Sequence, residues 1–167
     1  PFYINAMTGG TRATAEINAG LAGAAADAGV AIACGSQHIA LRDPGCADGF
    51  RIIRSEAPQA FVLANVGPTA TPEDAVRAVE MLEANALQIH LNVAQELVMP
   101  EGDQDFRDWP ERIAAIVAAV PVPVVAKEVG VGLWSAQASP PSTWRVQAAR
   151  TSSPSRTSGA PAGTTRT

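Results

Sequence analysis

The sequence predicts an α/β fold: part of a TIM-type (β/α)8 barrel of about five βα units, followed by a disordered tail. Short β-branched or aromatic runs recur roughly every 30 residues with helical patterns between them, as parallel βα units do. Each run ends in a polar or Gly-rich loop: MTGGT, CGSQH, ANVG, HLNVAQE and AKEVGVG. Loops of that kind after every strand favour a barrel, whose sites gather at many strand ends, over a doubly wound sheet with one switch point.

The candidate strands are 2–7, 30–35, 61–66, 87–92 and 122–129. After the first, Thr11 is placed to cap a helix with Ile17, Leu21, Ala24 and Ala28 at helical spacing, which Gly29 ends. A second helix around 49–57 has to stop before Pro58. The third opens with Thr71-Pro72-Glu73-Asp74, a cap, a proline at the first helical position and acids near the positive dipole end. Asp108 with Glu111 begins the fourth, which buries Ile113, Ile116, Val117 and Val120. A full barrel of this kind needs eight such units and about 250 residues, so five units in 167 residues are expected to form an incomplete one.

Composition narrows the function classes. A chain with 47% hydrophobic residues has enough apolar mass for one core. Its net charge of −4 is the balance of +4 after Glu128, from Arg145, Arg150, Arg156 and Arg166, and −8 before it. An acidic body with scattered arginines is a poor nucleic-acid binder. Cys34 and Cys46 lack metal-like spacing and are too few for a disulfide framework, so they read as reduced thiols of a cytoplasmic protein. No apolar run is long enough to span a membrane.

The richest stretch is 88–106, QIHLNVAQELVMPEGDQDF. Ile89 and Leu91 alternate with Gln88, His90 and Asn92, so one strand face is apolar while the other carries two amides and an imidazole. Beyond Asn92 the chain is expected to leave strand periodicity for a loop that presents Gln95, Glu96, Glu101, Asp103 and Asp105. That set suits a metal-bound anion. Lys127 stands out for another reason, because an ammonium inside an apolar strand needs an anionic partner. Its neighbour Glu128 should point to the opposite face.

In their order and spacing, MTGGT at 7–11, GSQ at 35–37, ANVG at 64–67, HLNVAQELVMPEGDQDF at 90–106 and VAKEVGVG at 125–132 resemble the type 2, flavin-dependent isopentenyl-diphosphate isomerases. The resemblance covers residues 1–132, which it implies are the FMN-binding barrel unit. It implies FMN contacts at Met7, Thr8, Gly9, Ser36, Asn65 and Lys127, with Lys127 near the N1–C2=O edge of the ring. It places Ser36, Gln37, His38, His90, Asn92 and Gln95 at the substrate, Gln95 at the reacting double bond, and Glu96 on Mg²⁺. Glu101, Asp103 and Asp105 are expected to shape the loop or support their neighbours. The family usually carries a basic residue where Gln104 stands, so a phosphate contact there is not carried over.

The implied reaction interconverts isopentenyl and dimethylallyl diphosphate in isoprenoid biosynthesis. NAD(P)H serves only to reduce the flavin, and the intact family forms homo-oligomers. Residues 133–167, rich in Ser, Thr, Pro, Ala and Arg, are expected to be disordered. Reading residues 158–163 two bases out of phase permits Gly-Gly-Thr-Ser-Trp, so a frameshift near Leu133 is expected, and with it an impaired chain that binds FMN poorly. Three other readings stay open: an FMN oxidoreductase related to the α-hydroxy-acid oxidases, which would need a late His/Arg pair; a non-catalytic fragment; and an interaction module using the tail.

Overall fold

The structure, a computed structural model, describes residues 2–100, 102 and 104–128. Five strands, β1 (Tyr3–Ile4), β2 (Ala31–Ala33), β3 (Val62–Val66), β4 (Ala86–Leu91) and β5 (Val124–Glu128), form one parallel sheet in the order of the chain. Helices α1 (Arg12–Ala28), α3 (Asp48–Glu56), α4 (Pro72–Leu82) and α6 (Trp109–Ala119) make the crossovers. Two shorter helices, α2 (His38–Arg42) and α5 (Val93–Val98), follow β2 and β4 directly, and a 3₁₀ turn occupies Pro44–Cys46.

The expected fold class needs correction. The described residues form an α/β fold on an open, curled five-stranded sheet, not a part-barrel demonstrated as such. Closure requires the first strand to pair with the last, at a fixed stagger. Here β1 pairs only with β2, and β5 pairs only with β4, so both outer edges lack a strand partner among the described residues. β1 is also just two residues long. Sequential βα repetition is common to curled and closed sheets, which is why the pattern alone overreached. The predicted disordered, out-of-frame tail at 133–167 lies outside the described residues, as do Glu101 and Asp103.

Local sequence explains most elements. Thr71 Oγ1 accepts from the Asp74 N–H at 3.1 Å, with Pro72 at the first position of α4. Gly29 ends α1 at φ 63°, in the left-handed region that glycine reaches without penalty. Thr11 sits at the start of α1 but makes no side-chain cap bond. Asp108 likewise leaves the α6 N–H groups alone and pairs with Arg112 at 2.6 Å.

The strands divide the molecule into two faces. Toward the helices, Ile32, Val62, Ala64, Val66, Leu87, Ile89 and Leu91 join Phe50, Ile53, Leu82 and Ile116 in one buried cluster. Phe50 is fully buried, and burial of such a ring stabilises by roughly 3 kcal/mol. On the other face a small cluster of Ala33, Leu63 and Ala86, with Tyr3, Ala31 and Val125 against it, forms an apolar floor. The parallel register adds Asn65, Gln88, His90 and Lys127 to that second face. No helix among the described residues is long and apolar enough to cross a membrane.

Candidate functional site

The inner face of β3, β4 and β5 carries the polar groups. His90 and Lys127 are register partners on adjacent strands and therefore point the same way, whereas Glu128 pairs with Leu91 on the helix side. Lys127 is the chain's only lysine. It makes no ion pair among the described residues, and partial burial lowers its pKa. Among the described residues it therefore has no anionic partner of the kind that its position in a strand calls for.

His90 is half-buried, and its pKa is pushed below the ordinary histidine value, first by burial and then by the Lys127 charge; Glu96 opposes this and His38 adds to it. Those couplings put Lys127, Glu96 and His38 each within electrostatic reach of His90. The His90 ring also has a fixed proton. Asn65 Nδ2 donates to the Cys34 carbonyl at 3.1 Å, which turns Asn65 Oδ1 toward His90 Nδ1, also at 3.1 Å. Nδ1 therefore carries the hydrogen, and Nε2 of the neutral ring is left as an acceptor.

Behind this pair runs a buried network. Gln37 Oε1 accepts from the Asn65 N–H at 2.9 Å and from the Cys34 thiol at 3.4 Å. Gln37 Nε2 donates to the Ala78 carbonyl at 3.0 Å. Gln37, which the resemblance places at the substrate, has no exposed surface, and its amide reaches the Ala78 carbonyl of α4. Asn65 is similar: it is almost fully buried, and both ends of its amide are engaged within the protein. Cys34, fully enclosed, has its thiol pKa raised by burial.

At the C-terminal ends of the strands lie the other candidates. Ser36 is half-buried and His38 exposed at the start of α2. Gln95 and Glu96 lie on α5, not in the loop expected for them, because Asn92 caps that helix through Oδ1 and the Gln95 N–H, 3.2 Å apart. Asn92 Nδ2 also donates to Gln95 Oε1 at 2.7 Å, so these two side chains hold each other. Asp105 is exposed and paired with Arg107 at 2.5 Å; that bond lowers its pKa, and it serves its own loop.

The β1–α1 turn shows why its glycines are needed. A Cβ on Gly35 would lie 1.8 Å from the Thr8 carbonyl oxygen, so only glycine lets the turn cross the end of β2. Gly10 packs on the Phe50 ring, not on open space; Gly9 has nothing near it. Met7 is largely exposed, and the Thr8 hydroxyl donates to Asn18 Oδ1. Asn18 itself was not singled out from the sequence. It is buried inside α1, where its Nδ2 ties the Gly9 and Gly49 carbonyls together, and a lone amide in an alanine-rich helix was the available signal.

Tyr3 also escaped notice, and Gln88 was read only as part of the polar face of its strand. Tyr3 reaches across the inner face to donate to Gln88 Oε1 at 3.3 Å. Gln88 Nε2 is fully enclosed and has no partner. Among the described residues no three His, Cys, Asp or Glu side chains gather as a metal cluster. Elsewhere, a groove of about 540 Å³ between α2, α3 and α4 is lined by Arg51 and Arg77, but Asp48 and Asp74 already neutralise them.

No family model matches the chain. Over 133 residues it is 61% identical to a protein of Kitasatospora griseola, 57% to one of Nocardia farcinica and 55% to one of a Streptomyces species. All three are named isopentenyl-diphosphate delta-isomerase. The shared region is 80% of this chain but only 36–37% of those relatives, so the chain is similar to one portion of proteins bearing that name.

Proposed function

We propose that this chain carries the cation-bearing strands and the metal carboxylate of a type 2, FMN-dependent isopentenyl-diphosphate isomerase. The observation that carries the reading is the placement of His90 and Lys127 on one face of adjacent strands, with Glu96 close enough to act on the His90 charge. The relatives' name supplies the substrate, isopentenyl diphosphate. It does not name the cofactor, which rests on the motif resemblance and on fit.

The residues fit both groups. Lys127, a lone cation in a partly dry setting, suits the electron-rich N1–C2=O edge of a flavin. Mg²⁺ commonly takes one or two protein carboxylates and completes its shell with water and substrate phosphates, so Glu96 without a protein cluster is an adequate ligand. Bound and reduced, FMN would supply the acid and base that move a proton on and off the alkene.

The chain's own residues then bind and orient. Glu96 would hold Mg²⁺, which would supply the charge that neutralises the diphosphate. His90 Nε2 accepts a hydrogen from a protonated phosphate oxygen, and becomes a donor only on taking up a proton. Gln95, exposed on α5, is the candidate to meet the hydrocarbon end once it releases Asn92. Ser36 and His38 flank the same mouth, and the Met7–Gly9 turn offers backbone to the ring.

Calorimetric titration with isopentenyl diphosphate, with and without Mg²⁺, tests the proposal. Binding is expected to require Mg²⁺ and to fall at least tenfold in Glu96→Gln. Binding that ignores both the metal and the substitution would overturn it.

A further inference from the structure

The sequence gives the amide that meets a ligand ring to Asn65, but the structure gives both ends of that amide to the protein: Nδ2 to the Cys34 carbonyl, Oδ1 to His90. The unpaired amide is its register partner on the next strand. Gln88 Nε2 is fully buried with no acceptor, while Gln88 Oε1 is held by the Tyr3 hydroxyl. A buried N–H₂ group without a partner is costly to keep, and such groups are rare in folded proteins.

Among the described residues no acceptor reaches it. The floor of the inner face is Ala33, Leu63 and Ala86, and Val125 is the register neighbour on β5. Two residues along β4, on the same face, His90 pairs with Lys127. A ligand that answers the Lys127 ammonium with electron-rich oxygen therefore brings acceptors to the face where Gln88 waits.

We propose that Gln88 is a further ring-binding residue whose Nε2 donates to a carbonyl oxygen on the pyrimidine edge of the flavin, the edge that Lys127 also meets. This rests on the flavin reading given above. It adds an amide contact from β4 beside Asn65, whose bond to His90 also makes it a positioning residue.

The test follows the Gln88 side-chain amide in ¹H–¹⁵N spectra of the chain during an FMN titration, alongside the rate at which acetic anhydride acylates Lys127. FMN is expected to shift the Gln88 amide pair and to slow Lys127 acylation. Gln88→Leu is expected to bind FMN roughly five- to thirtyfold more weakly. Its melting temperature without FMN should change little, because removing the unpaired donor offsets the lost acceptor of the Tyr3 hydroxyl, which keeps Asn5 Oδ1.

If FMN protects Lys127 but leaves the Gln88 amide unmoved, and Gln88→Leu binds as well as the parent, the Gln88 assignment is overturned while the flavin reading survives. If Gln88→Leu melts lower without FMN by more than the single Tyr3 bond accounts for, about 1 kcal/mol, Gln88 is structural and the assignment is equally overturned. If FMN neither protects Lys127 nor shifts Gln88, the flavin reading itself fails.

Discussion

His90 on β4 holds its Nδ1 hydrogen against Asn65 Oδ1 on β3, 3.1 Å away, and that single bond decides which face of the imidazole is basic. Asn65→Ala removes the acceptor and also leaves the Cys34 carbonyl without its donor. A loss of about 2 kcal/mol is expected in urea unfolding, since two buried polar groups lose partners. Asn65→Ala matching the parent within error would show that the pair contributes nothing.

The lowered His90 pKa makes stability depend on pH with a defined sign. The folded state binds this proton less readily than the unfolded chain, whose histidine titrates near 6.5. Stability is therefore complete above 6.5 and falls as pH drops through the window just beneath it. Urea midpoints measured from about pH 7 to pH 5 should decline in the parent and flatten in His90→Gln. A parent profile that is already flat would count against the neutral ring.

The same proton links to binding. A diphosphate near His90 favours the imidazolium, so its binding should draw a proton from solution around neutral pH. Calorimetry in two buffers of different ionisation enthalpy reads this uptake directly. Heats that do not differ between the buffers would show that His90 stays neutral in the complex.

Lys127 offers a selective chemical handle because no other lysine competes with it. The pH dependence of its acylation should have its midpoint below the ordinary value of 10.5. Lys127→Met should leave melting unchanged, because no ion pair among the described residues is lost, and should weaken binding in the FMN titration. A midpoint at 10.5 would place the ammonium in open solvent, and one above it would mean that an anion already pairs with it.

Glycine positions give a paired stability test. Gly35→Ala drives a methyl into the Thr8 carbonyl and should cost about 1–3 kcal/mol. Gly20→Ala, exposed on α1 with nothing near it, should stabilise by up to about 1 kcal/mol. Thermal melts of the two variants are expected to move in opposite directions.

The parts of the fold that were legible in the sequence are those governed by local chemistry. Thr71-Pro72 marks the start of α4, Gly29 ends α1, and the alternation of Ile89 and Leu91 with Gln88 and His90 sorts β4 into two faces. What was not legible depends on contacts far apart in the chain. That Gln37 turns to Ala78, or that Tyr3 reaches Gln88 across two intervening strands, leaves no mark on spacing. The same limit explains α5, where Asn92, read from the sequence for its ligand, also caps a helix, and the open sheet, since edge pairing is not a property of any one βα unit.

Arg54 shows how unevenly the molecule is tied. Its guanidinium donates to the carbonyls of Leu82, Glu83, Ala57, Pro58 and Ala60 and to Asn85 Oδ1, joining the end of α4 to the α3–β3 turn. All of these contacts lie at the N-terminal ends of the strands, opposite the His90–Lys127 end. A lysine could not reproduce that planar fan. Amide hydrogen exchange should accordingly run along the sheet as a gradient, slow beside Arg54 and fast around α5, so that one end serves as an anchor and the mouth keeps the freedom to close on a ligand.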